Sequence, residues 1–188
     1  MEASPPLFHT VLDTALGPIG LAWRAEPRRL PVVRLQLPAG DAAETEKALT
    51  KRLASTRAAK LPPEIARLAD MIQAYARGEA VDFSAVAVDF GPVEPLRRTI
   101  YATLRKLRHG ETLTYGELAE RAGLPGQAQA VGQAMGKNPV PLIVPCHRVL
   151  AAGGRIGGFS APGGVTTKQK MLRLEGAIQA PAQADLFG

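Results

Sequence analysis

Apolar and polar residues alternate along the first part of the chain with a period of two, which is typical of half-buried β-strands. The alternation runs through LFHTVLDTALGPIGLAWR, residues 7–24, and is interrupted by the turn signal Leu16-Gly17-Pro18. It resumes in RLPVVRLQLP, residues 29–38. The pattern therefore predicts two strands joined by a turn, followed by a third strand.

The spacing then changes to that of helices. From Asp41 to about Ser55, alanines and leucine fall on one side and charges on the other. A second helix is predicted from Pro62 to Arg77, because proline suits the start of a helix. Alternation returns in VDFSAVAVDF, residues 81–90, which predicts a last strand. Residues 1–90 thus have the pattern of a small α+β domain. We find no candidate site chemistry in it, since His9 has no cysteine nearby to form a metal-binding set.

The second part of the chain begins with a basic amphipathic segment, VEPLRRTIYATLRKLRHG, residues 93–110. Its apolar residues share one helical stripe, and Gly110 ends the pattern. The residues on the stripe are Leu96, Ile100, Leu104 and Leu107.

Two short helices are predicted next. Thr114 precedes YGELAERAG, and Glu117 stands three residues later, as a capping box requires. Leu124-Pro125-Gly126 breaks the chain before AQAVGQAMGKN, residues 128–138. The pair is either a DNA-binding helix-turn-helix or an αα-hairpin that serves packing alone. The second helix is rich in Ala and Gly, which favours close approach to a duplex without reading its sequence.

Charge supports a polyanionic partner. Residues 1–92 carry 11 Lys/Arg and 11 Asp/Glu, whereas residues 93–188 carry 12 Lys/Arg and 6 Asp/Glu, which is the whole net charge of +6. A basic half joined to a neutral half suggests nucleic acid, although a solvated basic face is the alternative.

Composition narrows the class of protein. Of the 188 residues, 46% are hydrophobic, which is ample for a core. We find neither a signal-peptide pattern nor an apolar run of about 18 residues, so neither secretion nor membrane insertion is expected. A single cysteine forms no internal disulfide, which points to a reducing cytoplasm.

That cysteine, Cys146, lies in PVPLIVPCHRVL, residues 139–150, after an apolar run and directly before His147. It is either a small buried hydrophobe or a nucleophile. A thiol at its reference pKa of roughly 8.5 is only a few per cent thiolate at pH 7, so nucleophilic work requires a base or a positive field. Adjacent side chains on an extended segment point in opposite directions, so the pair also needs a turn or a water bridge.

The run GETLTYGELAERAG…AVGQAMGKNPVPLIVPCHRV…GG…K…LE, roughly residues 91–177, resembles the O6-alkylguanine-DNA alkyltransferases, or methylated-DNA–protein-cysteine methyltransferases. The resemblance implies an α+β fold. A small ribonuclease H-like α/β domain (1–90) would precede a mostly helical winged helix-turn-helix domain (91–177) and a flexible tail (178–188). It also implies a monomer without cofactor that flips O6-alkylguanine, chiefly O6-methylguanine, out of duplex DNA and takes its alkyl group irreversibly, once per molecule.

The resemblance assigns catalytic roles to four residues. Cys146 matches the alkyl acceptor, and His147 matches the base that relays the thiol proton through a water. Glu175 matches the carboxylate that orients this histidine, and Asn138 matches the hinge residue between the recognition helix and the active-site turn.

The resemblance also assigns the pocket around the flipped base. The residues assigned to it are Tyr115, Met135, Val149, Phe159 and Ser160. The backbone carbonyls of Cys146 and Val149 would accept hydrogen bonds from the guanine edge, and the Ser160 N–H would meet O6. Phe159 stands where tyrosine is frequent in the family, within a slightly longer lid, GGFSAPGGVTTK (157–168).

The assigned DNA contacts combine phosphate-binding arginines with the small-residue helix. They are Arg97, Arg98, Arg105, Arg121, Tyr115, Ala128 and Gln129. Gln129 stands where the family usually has an arginine, whose side chain fills the gap that the flipped base leaves in the stacked duplex. Glutamine brings no cationic stacking or phosphate attraction, so we expect reduced efficiency on duplex DNA.

Two further expectations concern metals and the last residues. The chain lacks the cysteines of the structural zinc reported in some members, so no metal is expected. QADLF, residues 183–187, resembles the pentapeptide by which bacterial polymerases and repair proteins hold the sliding clamp. Gln183 would bind the groove, while Leu186 and Phe187 would fill an apolar pocket. Docking within the chain, or coincidence, is the alternative.

Two other functions remain open from the residues themselves. A non-catalytic binder would flip the lesion and recruit other repair, and a Cys–His hydrolase would turn over repeatedly. The hydrolase needs an oxyanion hole. It would also have no use for a DNA-binding helix-turn-helix beside its nucleophile.

Overall fold

The computed structural model describes residues 5–179 and contains a small sheet in its first half. Three antiparallel strands and a short fourth strand form the order β3-β2-β1-β4, with β4 parallel to β1. The strands are β1 (Leu7–Leu12), β2 (Ile19–Arg24), β3 (Val32–Gln36) and β4 (Thr56–Arg57). The three strands predicted from the alternation are confirmed.

Helix α1 (Ala42–Thr50) begins directly after Asp41, where the helical pattern was predicted to start, but ends earlier than the predicted Ser55. Asp41 accepts the Glu44 N–H, and the Glu44 carboxylate accepts the Asp41 N–H, so the capping box is complete. Arg34 donates to the carbonyls of Leu49 and Lys51. The chain turns there, with Arg52 at φ 59°, and continues into β4, which the sequence pattern did not predict.

His9, for which the sequence offered no metal-binding partner, is hydrogen-bonded at both ring nitrogens. Its Nδ1 lies 2.9 Å from the Ser55 hydroxyl and its Nε2 lies 3.0 Å from the Glu46 carboxylate. The imidazole therefore ties β1 to α1 and to the start of β4. It is a buried structural histidine whose two partners lie 37 and 46 positions away.

Helix α2 (Pro63–Ala76) follows with Pro62 as its N-cap, as predicted. The strand predicted over residues 81–90 is wrong, because there only Val88 pairs, through a single bridge to Val32. Asp82 accepts the Ser84 N–H at 2.8 Å, a local turn that competes with a ladder. The Arg105 guanidinium then binds the backbone carbonyls that a neighbouring strand would otherwise occupy, those of Phe83, Ser84 and Val86.

The second half is mostly helical. Its helices are α3 (Pro95–Leu104), α4 (Tyr115–Arg121), α5 (Ala128–Gly136) and α6 (Gly164–Leu174). Helix α3 is shorter than the predicted 93–110, although Leu107 beyond its end is still buried. The Thr114–Glu117 capping box of α4 is confirmed, with both of its hydrogen bonds formed.

A two-stranded parallel ladder joins the start of α4 to the segment after Cys146. Strand β5 (Leu113–Thr114) pairs with β6 (Val149–Leu150), Leu113 opposite Val149 and Thr114 opposite Leu150. The α+β class is thereby confirmed. One cluster of buried apolar side chains runs through both halves, and the division at residue 90 stays a prediction.

No helix within residues 5–179 combines the length and apolar character needed to cross a membrane. The proposed clamp residues Gln183, Leu186 and Phe187 lie outside the described residues.

Candidate active site

The loop before Cys146 is a compact buried turn braced by Asn138. The Asn138 amide donates to the Val144 carbonyl at 2.8 Å, and its oxygen accepts the Val140 N–H at 3.1 Å. Leu142 has φ 76°, a strained conformation for a leucine, and is held there by nearly complete burial. One side chain thus connects the end of α5 to both ends of the turn.

Cys146 opens a single 3₁₀ turn, Cys146–Arg148, immediately before β6. The turn removes the extended geometry in which neighbouring side chains diverge, so Cys146 and His147 belong to one compact unit. Both are buried, Cys146 at 5% exposure and His147 at 0%. No hydrogen bond joins the two side chains directly in the part of the chain that the structure describes.

Cys146 lines a cavity of about 370 Å³. The predicted substrate residues Tyr115, Met135, Phe159 and Ser160 line the same cavity. A second space of about 350 Å³ also reaches Cys146, between β3 and the Asn138 loop. The structure therefore brings four of the five predicted pocket residues together at the sulfur.

Val149 is placed differently from the other predicted pocket residues. Its side chain is fully buried, and its carbonyl accepts a hydrogen bond from the Lys168 ammonium at 2.6 Å. The Cys146 carbonyl likewise accepts the Val149 N–H. A carbonyl oxygen has two lone pairs, so one accepted hydrogen bond does not by itself exclude a second.

His147 is held by Glu175, at the C-cap of α6, with 2.7 Å between Nε2 and Oε1. When Nε2 carries the proton that Glu175 accepts, Nδ1 is left as an acceptor. That Nδ1 is buried and has no hydrogen-bond partner within residues 5–179. The imidazole is thus fixed in the tautomer that a general base requires.

The Glu175 carboxylate accepts hydrogen bonds from four residues. Oε1 accepts from His147, the Tyr75 hydroxyl at 2.9 Å and Arg148 Nη2 at 3.0 Å. Oε2 accepts from Arg148 Nε at 2.8 Å and from the Gly110 N–H at 3.1 Å. A buried carboxylate is tolerated because these donors replace its water shell.

The charge states of the pair follow from this surrounding. Burial by itself raises the pKa of Glu175, but hydrogen bonds and charge from His147 and Arg148 outweigh it and hold the pKa well below its usual range. Burial lowers the pKa of His147 below its ordinary 6.5, and the Glu175 contact opposes that shift. At neutral pH the site therefore holds an ionised carboxylate and a neutral imidazole.

Cys146 rests as a thiol. Burial raises the pKa of its sulfur to about 11, opposed by Asn138 and by the Lys168 charge. Such a group is almost wholly protonated at pH 7, so a reaction at the sulfur must remove the proton as it proceeds. The free Nδ1 of His147 supplies a base suited to that step.

Lys168 is a buried residue for which no role was predicted. Its side chain is 0% exposed, and its ammonium also lies 3.4 Å from the Gly158 carbonyl. Burial lowers the pKa of Lys168, and the nearby Cys146 opposes the shift. The ammonium ties the lid to the active-site turn. The sequence contains a signal for this role: Lys168 shares the buried face of α6 with Met171 and Leu172, and a lysine is rarely buried unless its ammonium is paired.

Three of the predicted DNA contacts share one shallow surface. Tyr115 at the first turn of α4, with Ala128 and Gln129 at the start of α5, lines an open depression of about 500 Å³. Gln129 is exposed and Ala128 is half-buried. The small residues of α5 thus face the surface that leads to the Cys146 cavity.

The four arginines differ in their availability. Arg105 is half-buried and committed to the three carbonyls of the 83–86 turn, so its prediction as a phosphate contact is not supported by its position. Arg98 donates to the carbonyls of Gly91 and Val93, while Arg97 lies 3.7 Å from Glu94. Arg121 is exposed at the end of α4.

Sequence reasoning also missed Tyr75 and the role of Arg148 at Glu175. Tyr75 belongs to the half in which we found no site chemistry, and that interpretation is wrong, because its hydroxyl contacts Glu175. Tyr75 lies in the last turn of α2, on its buried face. Position alone carried no signal, since Glu175 is 100 residues away.

Residues 95–177 match the family described as "6-O-methylguanine DNA methyltransferase, DNA binding domain". A methylated-DNA–protein-cysteine methyltransferase of Mycolicibacterium paratuberculosis is 40% identical over 126 residues, which are 67% of this chain and 73% of the relative.

Solved structures of Mycobacterium tuberculosis proteins agree with these matches. An O6-methylguanine methyltransferase has TM-score 0.71 at 31% identity, covering 97% of this chain and 99% of the other. An OGT solved in complex with DNA has TM-score 0.70 at 32% identity, covering 93% and 96%. Together with the buried cysteine beside a His–Glu pair, these similarities show that the chain belongs to the methylated-DNA–protein-cysteine methyltransferase family.

Proposed function

We propose that this protein repairs O6-alkylguanine in duplex DNA, chiefly O6-methylguanine, by moving the alkyl group onto Cys146. The single observation that carries the proposal is a buried thiol at the wall of a base-sized cavity, in one turn with a histidine that Glu175 holds. The relatives' names and the DNA-bound neighbour support the same activity.

The proposed reaction balances without a cofactor. His147 Nδ1 takes the Cys146 proton through a water, and the sulfur attacks the saturated alkyl carbon. The bond from that carbon to O6 breaks, and its electron pair leaves with guanine. Guanine takes up one proton, which balances the proton that the thiol lost. The products are a thioether and unmodified guanine. Since a thioether is not hydrolysed and no reductant acts on it, each molecule reacts once.

The lesion must leave the stacked duplex before it reaches the sulfur, which costs a few kcal/mol. We propose that Tyr115 crowds the target phosphate, and that Asn138 keeps the recognition helix in register with the turn. Met135, Phe159 and Ser160 would enclose the alkylated edge of the base. Phosphate contacts from Arg97, Arg98 and Arg121 would supply affinity that falls with salt.

Intact-protein mass spectrometry tests the proposal. Incubation with a duplex containing one O6-methylguanine should add one methyl group per protein molecule, and peptide fragmentation should locate it on Cys146. Tight binding without a mass change would favour the non-catalytic lesion binder instead. Repeated release of product beyond one equivalent would favour a hydrolase.

The residue at position 129 should limit the reaction on duplex DNA. Gln129→Arg is expected to raise the repair rate and to steepen the dependence of log affinity on log salt by about one unit, because one more phosphate is neutralised. Gln133→Arg is the matched control, since Gln133 is exposed on the same helix one turn later. Equal gains in both variants, or no gain in either, would contradict the role of position 129.

Finer features of the fold also belong to the proposal. We expect the first half to be ribonuclease H-like, which three antiparallel strands and a fourth parallel to the first support. We expect α4, α5 and the β5–β6 ladder to form a winged helix-turn-helix. A monomer working in a reducing cytoplasm fits the free thiol.

We further propose that the C-terminal pentapeptide binds a bacterial sliding clamp. Its support is the QADLF sequence itself, residues 183–187. The full chain should bind a purified clamp, whereas a chain truncated after Pro181 should not. A Leu186→Ala, Phe187→Ala double variant serves as the control of equal length. Equal clamp binding by all three proteins would refute the proposal.

A further inference from the structure

We propose that Tyr75 is a positioning residue for alkyl transfer, whose hydroxyl fixes the Glu175 carboxylate and weakens its hold on the His147 imidazole. The inference rests on the proposed function, because it concerns the same proton transfer. It gives the first half of the chain a positioning role in the chemistry, exerted through Glu175.

The contacts place the hydroxyl at the centre of the pair. Tyr75 Oη donates to Glu175 Oε1 at 2.9 Å, the oxygen that lies 2.7 Å from His147 Nε2. The hydroxyl itself is 3.4 Å from that nitrogen. Tyr75 and the imidazole therefore donate to the same carboxylate oxygen, so a hydrogen bond from one weakens the hydrogen bond from the other.

The tyrosine is rigidly held and stays a donor. Its side chain is 0% exposed, and its ring packs on Phe83, His109 and His147 with centroids 6.0, 6.1 and 6.4 Å away. Burial raises its pKa far above the usual 10, and the Glu175 charge raises it further. The phenol is consequently neutral across the working pH range.

The sign of its effect follows from charge. A donated hydrogen bond stabilises the carboxylate and makes it a weaker acceptor toward the imidazolium. Loss of the hydroxyl should therefore raise the pKa of His147. The other ionisable groups facing this pair are Cys146, Arg148, Lys168 and His109, and they are unchanged by substitution at position 75.

The pH profile of methyl transfer is the readout. In the wild type, the rate should fall with acid below pH 6.5, as the buried imidazole becomes protonated. In Tyr75→Phe the midpoint of this acidic limb should move up by about half to one pH unit, a three- to tenfold rate loss on the limb, because the imidazole senses only part of the free energy of one hydrogen bond to the charged carboxylate. Affinity for the unmodified duplex should not change.

Ile72→Val is the control for packing. Ile72 is fully buried on the same helix, one turn before Tyr75, and carries no polar group. This variant should lose stability but keep the wild-type limb. A shift in Ile72→Val equal to that in Tyr75→Phe would mean that the role of Tyr75 is structural.

Site-specific 3-fluorotyrosine at position 75 gives a second measurement that preserves the fold. The fluorinated phenol is a stronger donor, so the limb should move to lower pH, opposite to Tyr75→Phe. An unmoved limb in the fluorinated protein would overturn the inference, whether or not Tyr75→Phe folds. Failure of the wild type to gain a methyl group would instead refute the proposed function, so the two failures are distinct.

Discussion

Cys146→Ser is expected to bind a duplex containing O6-methylguanine and to gain no methyl group. The serine hydroxyl occupies the place of the thiol, but it is a weak nucleophile at its free pKa and lacks the polarisable sulfur that attacks saturated carbon. The wild-type thiol is itself held protonated, with a pKa raised by burial to about 11, so catalysis depends on proton removal during attack. Intact mass before and after full conversion of the wild type measures the difference.

The substitution is small enough for binding and stability to serve as internal controls. Cys146 is buried at 5% exposure, and serine fills nearly the same volume. Gel-shift affinity and melting temperature should therefore stay close to those of the wild type. Methyl uptake by Cys146→Ser at the wild-type rate would mean that another residue accepts the group, and the assignment of Cys146 would be wrong.

Glu175→Gln is expected to have the largest effect on stability, a loss of about 3–5 kcal/mol in the free energy of unfolding, because it leaves Arg148 as an uncompensated buried cation. Arg148 donates both Nε and Nη2 to Glu175 and is 4% exposed. Methyl transfer should also slow, since a neutral amide stabilises the protonated imidazole less, and its NH₂ group can donate to Nε2 and so favour the tautomer in which Nδ1 carries the proton. Urea unfolding at pH 7 and single-turnover rates measure the two effects.

Acid should reduce the difference between wild type and variant. The folded-state pKa of Glu175 is depressed, so its contribution to stability is present above its ordinary value of 4.5 and is lost as pH falls below it. Glu79→Gln is the matched control, because the Arg77–Glu79 pair is 57% exposed on both sides and should contribute under about 1 kcal/mol. Equal losses in Glu175→Gln and Glu79→Gln would contradict the buried-charge argument.

Local features were predictable from the sequence. The hairpin strands, α2 and the Thr114–Glu117 capping box each depend on residues within a few positions of one another. The adjacency of Cys146 and His147 is also visible in the sequence, but the sequence does not decide between a turn and a water bridge as the link between their side chains; the structure has a 3₁₀ turn.

Distant partners explain what was missed. Residues 81–90 alternate like a strand, yet Arg105, about twenty positions later, takes the carbonyls that a ladder would need. Tyr75 resembles an ordinary core residue of α2 until Glu175 is placed beside it. Such contacts are fixed by how the two halves pack, and a periodic pattern carries no information about that packing.

Main-chain pairing between β5 and β6 sets the distance between Tyr115 and the turn that carries Cys146. One rung pairs Leu113 with Val149, directly after the Cys146–Arg148 turn, and the other pairs Thr114, directly before Tyr115, with Leu150. In the proposed reaction, Tyr115 meets the phosphate and the sulfur meets the alkyl carbon. The ladder would therefore fix the distance between the phosphate-binding position at Tyr115 and the sulfur, which is the distance that the rotated nucleotide must span. Side-chain changes in the pocket would alter which alkyl groups are accepted, while the reach from backbone to sulfur would stay constant.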